Sequence, residues 1–357
     1  MTSRGNNHDG PPAQEDVVPK SSTQDHTRRS SSIGDGSTSS SRIPKSPPSP
    51  ITQDMSPALA HVIHQIKSLS SCTPYWSEYY LSPEDFEELK RLERDVLEVY
   101  NLRYDYSAGD CTFILRMPNH ETHEVFLADS TFEIRTQLKR ILSQEDIAAT
   151  TLEFAKGIVD CRHSTFYYPP PFSAAKRDTE RSPDGSYACK GVRRPSCILE
   201  VANSQTTKGL AKLAEEYIWG TNAAVRTVVG FDFDYPAGKR ATLSIWRPKL
   251  NEKGALTGIR SEVVEIRSKD GQRNQDAKAG LRLSLEDFAF RRPDGTFDGL
   301  DQASIFIPVS ELCDMLEVAE EHYRMGTGGE GTEDSGPPVE KAGSNSPTHG
   351  YNLRPCT

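Results

Sequence analysis

Apolar residues recur at helical spacing in several stretches of this chain. Leu59, Val62, Ile63 and Ile66 line one face of a helix predicted over 57–68. A second helix opens at Ser82-Pro83-Glu84-Asp85, where the serine hydroxyl can accept from an orphan N–H and proline takes the first helical position. Phe86, Leu89, Leu92, Val96 and Leu97 then form its stripe. Further helices are predicted over 119–142, 145–156, 207–219 and 310–323, the last with Ser310 as N-cap. Short apolar or alternating runs predict strands over 112–117, 196–202, 225–235, 241–246, 261–267 and 281–290. The succession strand, helix, strand between 196 and 235 is a βαβ crossover, which makes the expected fold class α/β.

Composition bounds where these elements can pack. Residues 1–56 are dominated by Ser, Pro, Thr, Asp and Gly, and 326–357 form a Gly-rich acidic stretch. Neither offers enough apolar surface to offset the entropy of ordering, so both are expected to be disordered tails. The glycines after 326 are followed by no GK[ST] and are no phosphate loop. Between the tails, 57–103 is expected to be a helical N-terminal extension and 104–325 the α/β domain. No run approaches the roughly 18 apolar residues a spanning helix needs, and the first thirty residues lack a secretory signal's apolar core. A soluble, intracellular protein of the cytoplasm or nucleus, with no membrane partner, is therefore expected. Seven scattered cysteines without a CxxC pair predict free thiols.

Two carboxylates stand where carboxylates are unusual. Glu200 interrupts the apolar run Ile198-Leu199-Glu200-Val201, and an unpaired charge inside such a strand is costly. In a period-two strand it shares a face with Ile198 and Ala202, while Leu199 and Val201 occupy the other. An edge strand that turns Glu200 to water is one reading. The other comes from Asp184, in Arg181-Ser-Pro-Asp184-Gly-Ser-Tyr187, at the expected start of a neighbouring strand. If the two strands pair across the 189–195 connection, both acids converge at one end of the sheet. Two convergent carboxylates suit Mg2+, which takes oxygen ligands and leaves positions for phosphate and water.

At these residues the sequence resembles the PD-(D/E)XK, or restriction-endonuclease-like, nuclease superfamily, in particular its branch among fungal hypothetical proteins and the Uma2-like endonucleases. The likeness runs through Ser182-Pro-Asp184-Gly-Ser-Tyr187, Ile198-Leu-Glu200-Val-Ala-Asn-Ser-Gln205, a helix ending Lys212-Leu-Ala-Glu-Glu-Tyr217, a strand at 225–232 and Ala241-Thr-Leu-Ser-Ile-Trp246-Arg-Pro. It implies a mixed β-sheet flanked by helices, metal ligation by Asp184 and Glu200, and Mg2+-dependent hydrolysis of DNA or RNA phosphodiesters. The superfamily's lysine two residues after the glutamate is Ala202 here. Lys208 or Lys212, on the following helix, are the candidate substitutes. A helical wheel sets both opposite the stripe of Leu210, Leu213, Ala214 and Tyr217, which also fits a solvated Lys212–Glu216 ion pair. An additional acidic ligand from a preceding helix would be Glu124, with Glu121 on the same face and Glu153 in the next segment as alternatives, although acids at a helix start are also favoured by its dipole.

Net charge is −9, yet the charge is uneven. Residues 101–250 hold 20 Lys plus Arg against 18 Asp plus Glu, and 301–357 hold 3 against 10. Arg181, Lys190, Arg193 and Arg194, with Lys176 and Arg177, cluster on or near the expected hairpin and are candidate phosphate contacts. Three functions follow: a nuclease; a catalytically inactive nuclease-fold module that binds nucleic acid or protein, which Ala202 favours; and an interaction scaffold regulated at Ser46 and Ser49 in its tail.

Overall fold

The computed structural model describes residues 55–69, 76–92, 102–116, 121–170, 178–203, 207–290 and 300–327. Residues 1–54 and 328–357 of the expected tails, with Ser46 and Ser49, the basic pair Lys176 and Arg177, and Val96 and Leu97 lie outside them, whereas Ser56 and Gly326, also expected in the tails, belong to the ordered helices. Within the described residues six helices and thirteen strands form a mixed α/β fold.

The first part is built around two capped helices. In α1 (Pro57–Lys67) Ser56 Oγ accepts from Leu59 N at 3.1 Å, and in α2 (Pro83–Arg91) Ser82 Oγ accepts from Asp85 N at the same distance. Their apolar stripes pack with Tyr106, Phe113 and Leu115 on a five-stranded sheet. That sheet runs in the order β1 (Trp76–Tyr80), β3 (Thr112–Arg116), β2 (Arg103–Ser107), β6 (Thr179–Arg181), β5 (Phe166–Tyr168), with antiparallel pairing throughout. Residues 57–103 are thus not simply a helical extension. β1, whose Trp-Ser-Glu-Tyr-Tyr alternation is short and mostly half-buried, pairs with β3 and belongs to the same sheet.

A six-stranded mixed sheet carries the rest, in the order β11 (Leu256–Arg267), β10 (Ala241–Leu250), β9 (Thr227–Phe233), β8 (Cys197–Asn203), β7 (Gly185–Cys189), β4 (Ile158–Asp160). Its one parallel pair, β8 with β9, is joined by α5 (Thr207–Gly220), the crossover expected from the sequence. Strand alternation decides what each face meets. Ile198, Ala202, Val228 and Trp246 pack on Leu210, Leu213, Ala214 and Tyr217 of α5. Leu199, Val201, Val229 and Phe231 turn to the other face, where α3 (Glu121–Ile141) contributes Phe126 and Ile134 and α6 (Val309–Thr327) contributes Leu312 and Leu316. A short helix, α4 (Ala149–Lys156), precedes β4. The run 281–290 is divided: β12 (Gly280–Ser284) pairs with β13 (Ser304–Pro308), and the capping box of Ser284 and Asp287 turns the chain into a 3-10 segment, Leu285–Phe288. No helix among the described residues is long and apolar enough to cross a membrane.

Candidate functional site

Ser182-Pro183-Asp184 carries the chain from β6 in the five-stranded sheet to β7 in the six-stranded one. Such a crossover exposes backbone groups that neither ladder satisfies, and side chains take them up. Ser182 N donates to Asp105 Oδ1 at 2.7 Å, and Ser182 O accepts from Arg103 Nη2 and Arg116 Nη1, each at 2.8 Å. The β7–β8 ladder runs from Tyr187↔Cys197 to Gly185↔Leu199, so Asp184 and Glu200 meet one step further along the same register. The two acids expected to converge do so.

What they converge on is a guanidinium. Arg116 Nη2 lies 3.0 Å from Asp184 Oδ1 and 3.1 Å from Glu200 Oε2. Arg103 Nη1 adds a bond to Asp184 Oδ1 at 2.9 Å. Asp184 Oδ2 accepts from Val201 N at 2.8 Å and stands 3.1 Å from His123 Nε2. Tyr217, on α5, donates its hydroxyl to Glu200 Oε1 at 2.6 Å. Every oxygen of both carboxylates is therefore engaged by a donor. Arg116 is 2% exposed, Asp184 4% and Glu200 2%, and Trp76 stacks on Arg116 with its ring 5.5 Å from the guanidinium carbon.

The surroundings drive the two acids in opposite directions. Burial alone would raise Asp184, but Arg116, His123 and Arg103 outweigh it and hold the carboxyl well below the usual carboxylate range. Glu200 is pushed up to about 7, first by burial and then by the charge of Asp184, against the pull of Arg116 and Tyr217. His123 would be lowered by burial, yet Asp184 raises it to about 9. Asp105, Asp184 and Glu200 thus face Arg103, Arg116 and a protonated His123: three acids against three cations.

This donor set does not fit magnesium. A hard divalent cation needs carboxylate oxygens open toward a common point and room for water or phosphate. Here the common point holds positively charged N–H donors, packed away from solvent. Among the described residues no three His, Cys, Asp or Glu side chains are grouped to hold a metal ion.

The remaining candidates are dispersed. Glu124 is turned outward with 58% of its side chain exposed, and its neighbour His123 is the residue that α3 directs at Asp184. Lys212 is 70% exposed and pairs with Glu216 Oε1 at 3.8 Å, because the helical stripe that seats α5 leaves it on the solvent side. The side chain of Lys208 lies outside the described residues. Arg181, expected at a phosphate, is instead 1% exposed and paired with Glu216, since β6 runs inside the fold. Lys190, Arg193 and Arg194 are exposed as expected, but on the loop at the other end of the β7–β8 hairpin. At a strand rise of roughly 3.3 Å per residue, that end is about 13–20 Å from Asp184 and Glu200.

Arg103, Arg116, His123, Asp105 and Tyr217 were not legible as site residues. Arg116 left one trace: a charge directly after Phe113-Ile114-Leu115, three buried strand residues, requires a buried partner. No protein-family model matches the chain, and comparison with curated proteins finds no match. The likeness to the PD-(D/E)XK superfamily therefore rests on the residues quoted above.

Proposed function

We propose that this chain is a catalytically silent module of restriction-endonuclease-like architecture that binds nucleic acid through its phosphates. One observation carries the reading: the position that a metal would take between Asp184 and Glu200 is held by Arg116 Nη2. A guanidinium neutralises two carboxylates as a cation does, but it cannot activate a bound water, and with a pKa above about 12 it cannot serve as a base. The paired acids then tie β3 to the β7–β8 hairpin and so hold one sheet against the other.

The binding half of the reading is supported by the exposed cations Lys190, Arg193 and Arg194, which a metal-free module retains. The test is a gel-shift assay of the full chain with labelled single-stranded and duplex oligonucleotides, run in parallel with Mg2+ and with EDTA. Retardation of intact oligonucleotide in both conditions supports the silent module. Shortened products that need Mg2+ and disappear in Glu200→Gln support the nuclease, the second reading, which the convergence of Asp184 and Glu200 favours. Absence of any retardation refutes nucleic-acid binding.

A further inference from the structure

The end of the six-stranded sheet that carries the 190–194 loop also carries a second group of cations. Arg226 N donates to Ser196 O at 2.7 Å, so Arg226 adjoins the residue that closes this loop and leads into β8. Arg247 follows directly on the last β9–β10 pair, Trp246↔Val228, and pairs across β10–β11 with Arg260. Lys278 and Arg282 reach the same place from β12 and the turn before it. These five side chains line a cleft of about 370 Å3, with Ser284. Its size is within the roughly 300–1,000 Å3 usual for ligand sites.

The floor of the cleft is held by hydrogen bonds. Asp287 binds Arg247 through both carboxylate oxygens, Nε at 2.7 Å and Nη2 at 3.0 Å, and also accepts from Ser284 N at 2.8 Å and from the Thr227 hydroxyl. Arg247 Nη2 also donates to Arg282 O, which joins β10 to β12. Arg282 lies over the Phe306 ring, 4.2 Å from its centroid, so its guanidinium is held by a stacking contact. Glu262 and Glu286 complete the acids on the wall, so cations outnumber acids five to three. Arg260, Lys278 and Arg282 are exposed.

We propose that this cleft binds the phosphates of a nucleic acid strand, which the 190–194 loop meets at the same end of the sheet. The inference rests on the nucleic-acid reading above and gives it a location: the surface away from the Asp184–Glu200 pair. Among the described residues that line the cleft none is aromatic, so the contact they offer a strand is to its backbone, with little sequence preference. A strand held at this end is also out of reach of the two acids.

The test is fluorescence anisotropy of labelled oligo-dT and of a mixed-sequence single strand with the full chain in EDTA, over a series of salt concentrations. The triple variant Arg260→Gln/Lys278→Gln/Arg282→Gln is compared with wild type and with a charge-matched control on α3 and α4, Lys139→Gln/Arg140→Gln/Lys156→Gln. Thermal melts establish that each variant is folded. The cleft variant is expected to bind both oligonucleotides at least tenfold more weakly at low salt. The slope of log K against log salt should shrink by about 2, the release of counterions from three single-strand phosphates. The control should bind as wild type does. Wild-type affinity in the cleft variant would overturn the cleft while leaving a module that binds by its hairpin loop. No binding by wild type would overturn the nucleic-acid reading itself and the cleft with it. Displacement of the oligonucleotide by poly-glutamate at lower concentration than by unlabelled oligo-dT would overturn the proposal in favour of an acidic protein partner.

Discussion

Asp184 and Glu200 face each other across β7 and β8 and share a single nitrogen, Arg116 Nη2, at 3.0 and 3.1 Å. Truncating the arginine leaves two buried carboxylates without their common partner. Arg116→Met should cost about 3–5 kcal/mol, the usual price of breaking a buried ion pair from one side. The triple variant Arg116→Met/Asp184→Asn/Glu200→Gln should recover part of that loss because no charge is then stranded. Urea unfolding at pH 7 measures both; a loss below about 1 kcal/mol in the single variant would contradict the arrangement.

The three titrating groups at this site act in different pH windows. Glu200 rises to about 7 on folding from an ordinary value near 4.5, so the folded state holds its proton more tightly and this group's stabilisation declines as pH climbs from 4.5 to 7. His123 rises from 6.5 to about 9, and its contribution is complete below 6.5 and declines up to 9. Asp184 is depressed, so its contribution is complete above its unfolded value of 3.8 and is lost in more acidic solution. Glu200→Gln should flatten the first decline and His123→Gln the second. Melting temperatures of the wild type and both variants between pH 5 and 9.5 check this; a wild-type curve that rises from pH 7 to 9 would refute the assignment for His123.

Lys212 gives a contrasting expectation. An exposed ion pair at helical spacing contributes at most about 0.5 kcal/mol, so Lys212→Ala should leave the unfolding midpoint in urea almost unchanged. A larger effect would mean that this lysine has a role beyond the pair with Glu216.

The close approach of β9 to Trp246 offers a test of the packing that seats α5. A Cβ added at Gly230 would stand 2.7 Å from Trp246 Cζ3 and 3.3 Å from Leu210 Cδ1. Both neighbours are buried, so relief requires the indole to move. Gly230→Ala should destabilise by about 1–3 kcal/mol and alter the tryptophan fluorescence of the folded protein.

Much of the fold was legible because it follows local rules. The Ser-Pro start of α2, the alternation of Ile198 to Ala202 between the two faces of the sheet and the stripe of α5 each lie within one element. Convergence of Asp184 and Glu200 was legible too, since a short hairpin forces residues at equal distances from its turn together. Their partners were not. Arg103 and Arg116 lie 81 and 68 residues before Asp184 and belong to another sheet, and nothing local announces a pairing of that range. His123 and Glu124 are indistinguishable in the sequence because one helical step decides which of two neighbours points inward. Arg181 was misplaced for a related reason: a basic residue before a turn looks solvent-exposed until a strand on each side buries it.

Arg116 occupies the cation position between Asp184 and Glu200. A titration of the full chain with Mn2+, followed by electron paramagnetic resonance of the free ion and repeated on Asp184→Asn, addresses it directly. Wild type and variant should leave the same free Mn2+ signal, with no saturable one-to-one site that depends on Asp184. A stoichiometric site present in wild type and abolished in Asp184→Asn would show that a metal takes the place assigned to Arg116.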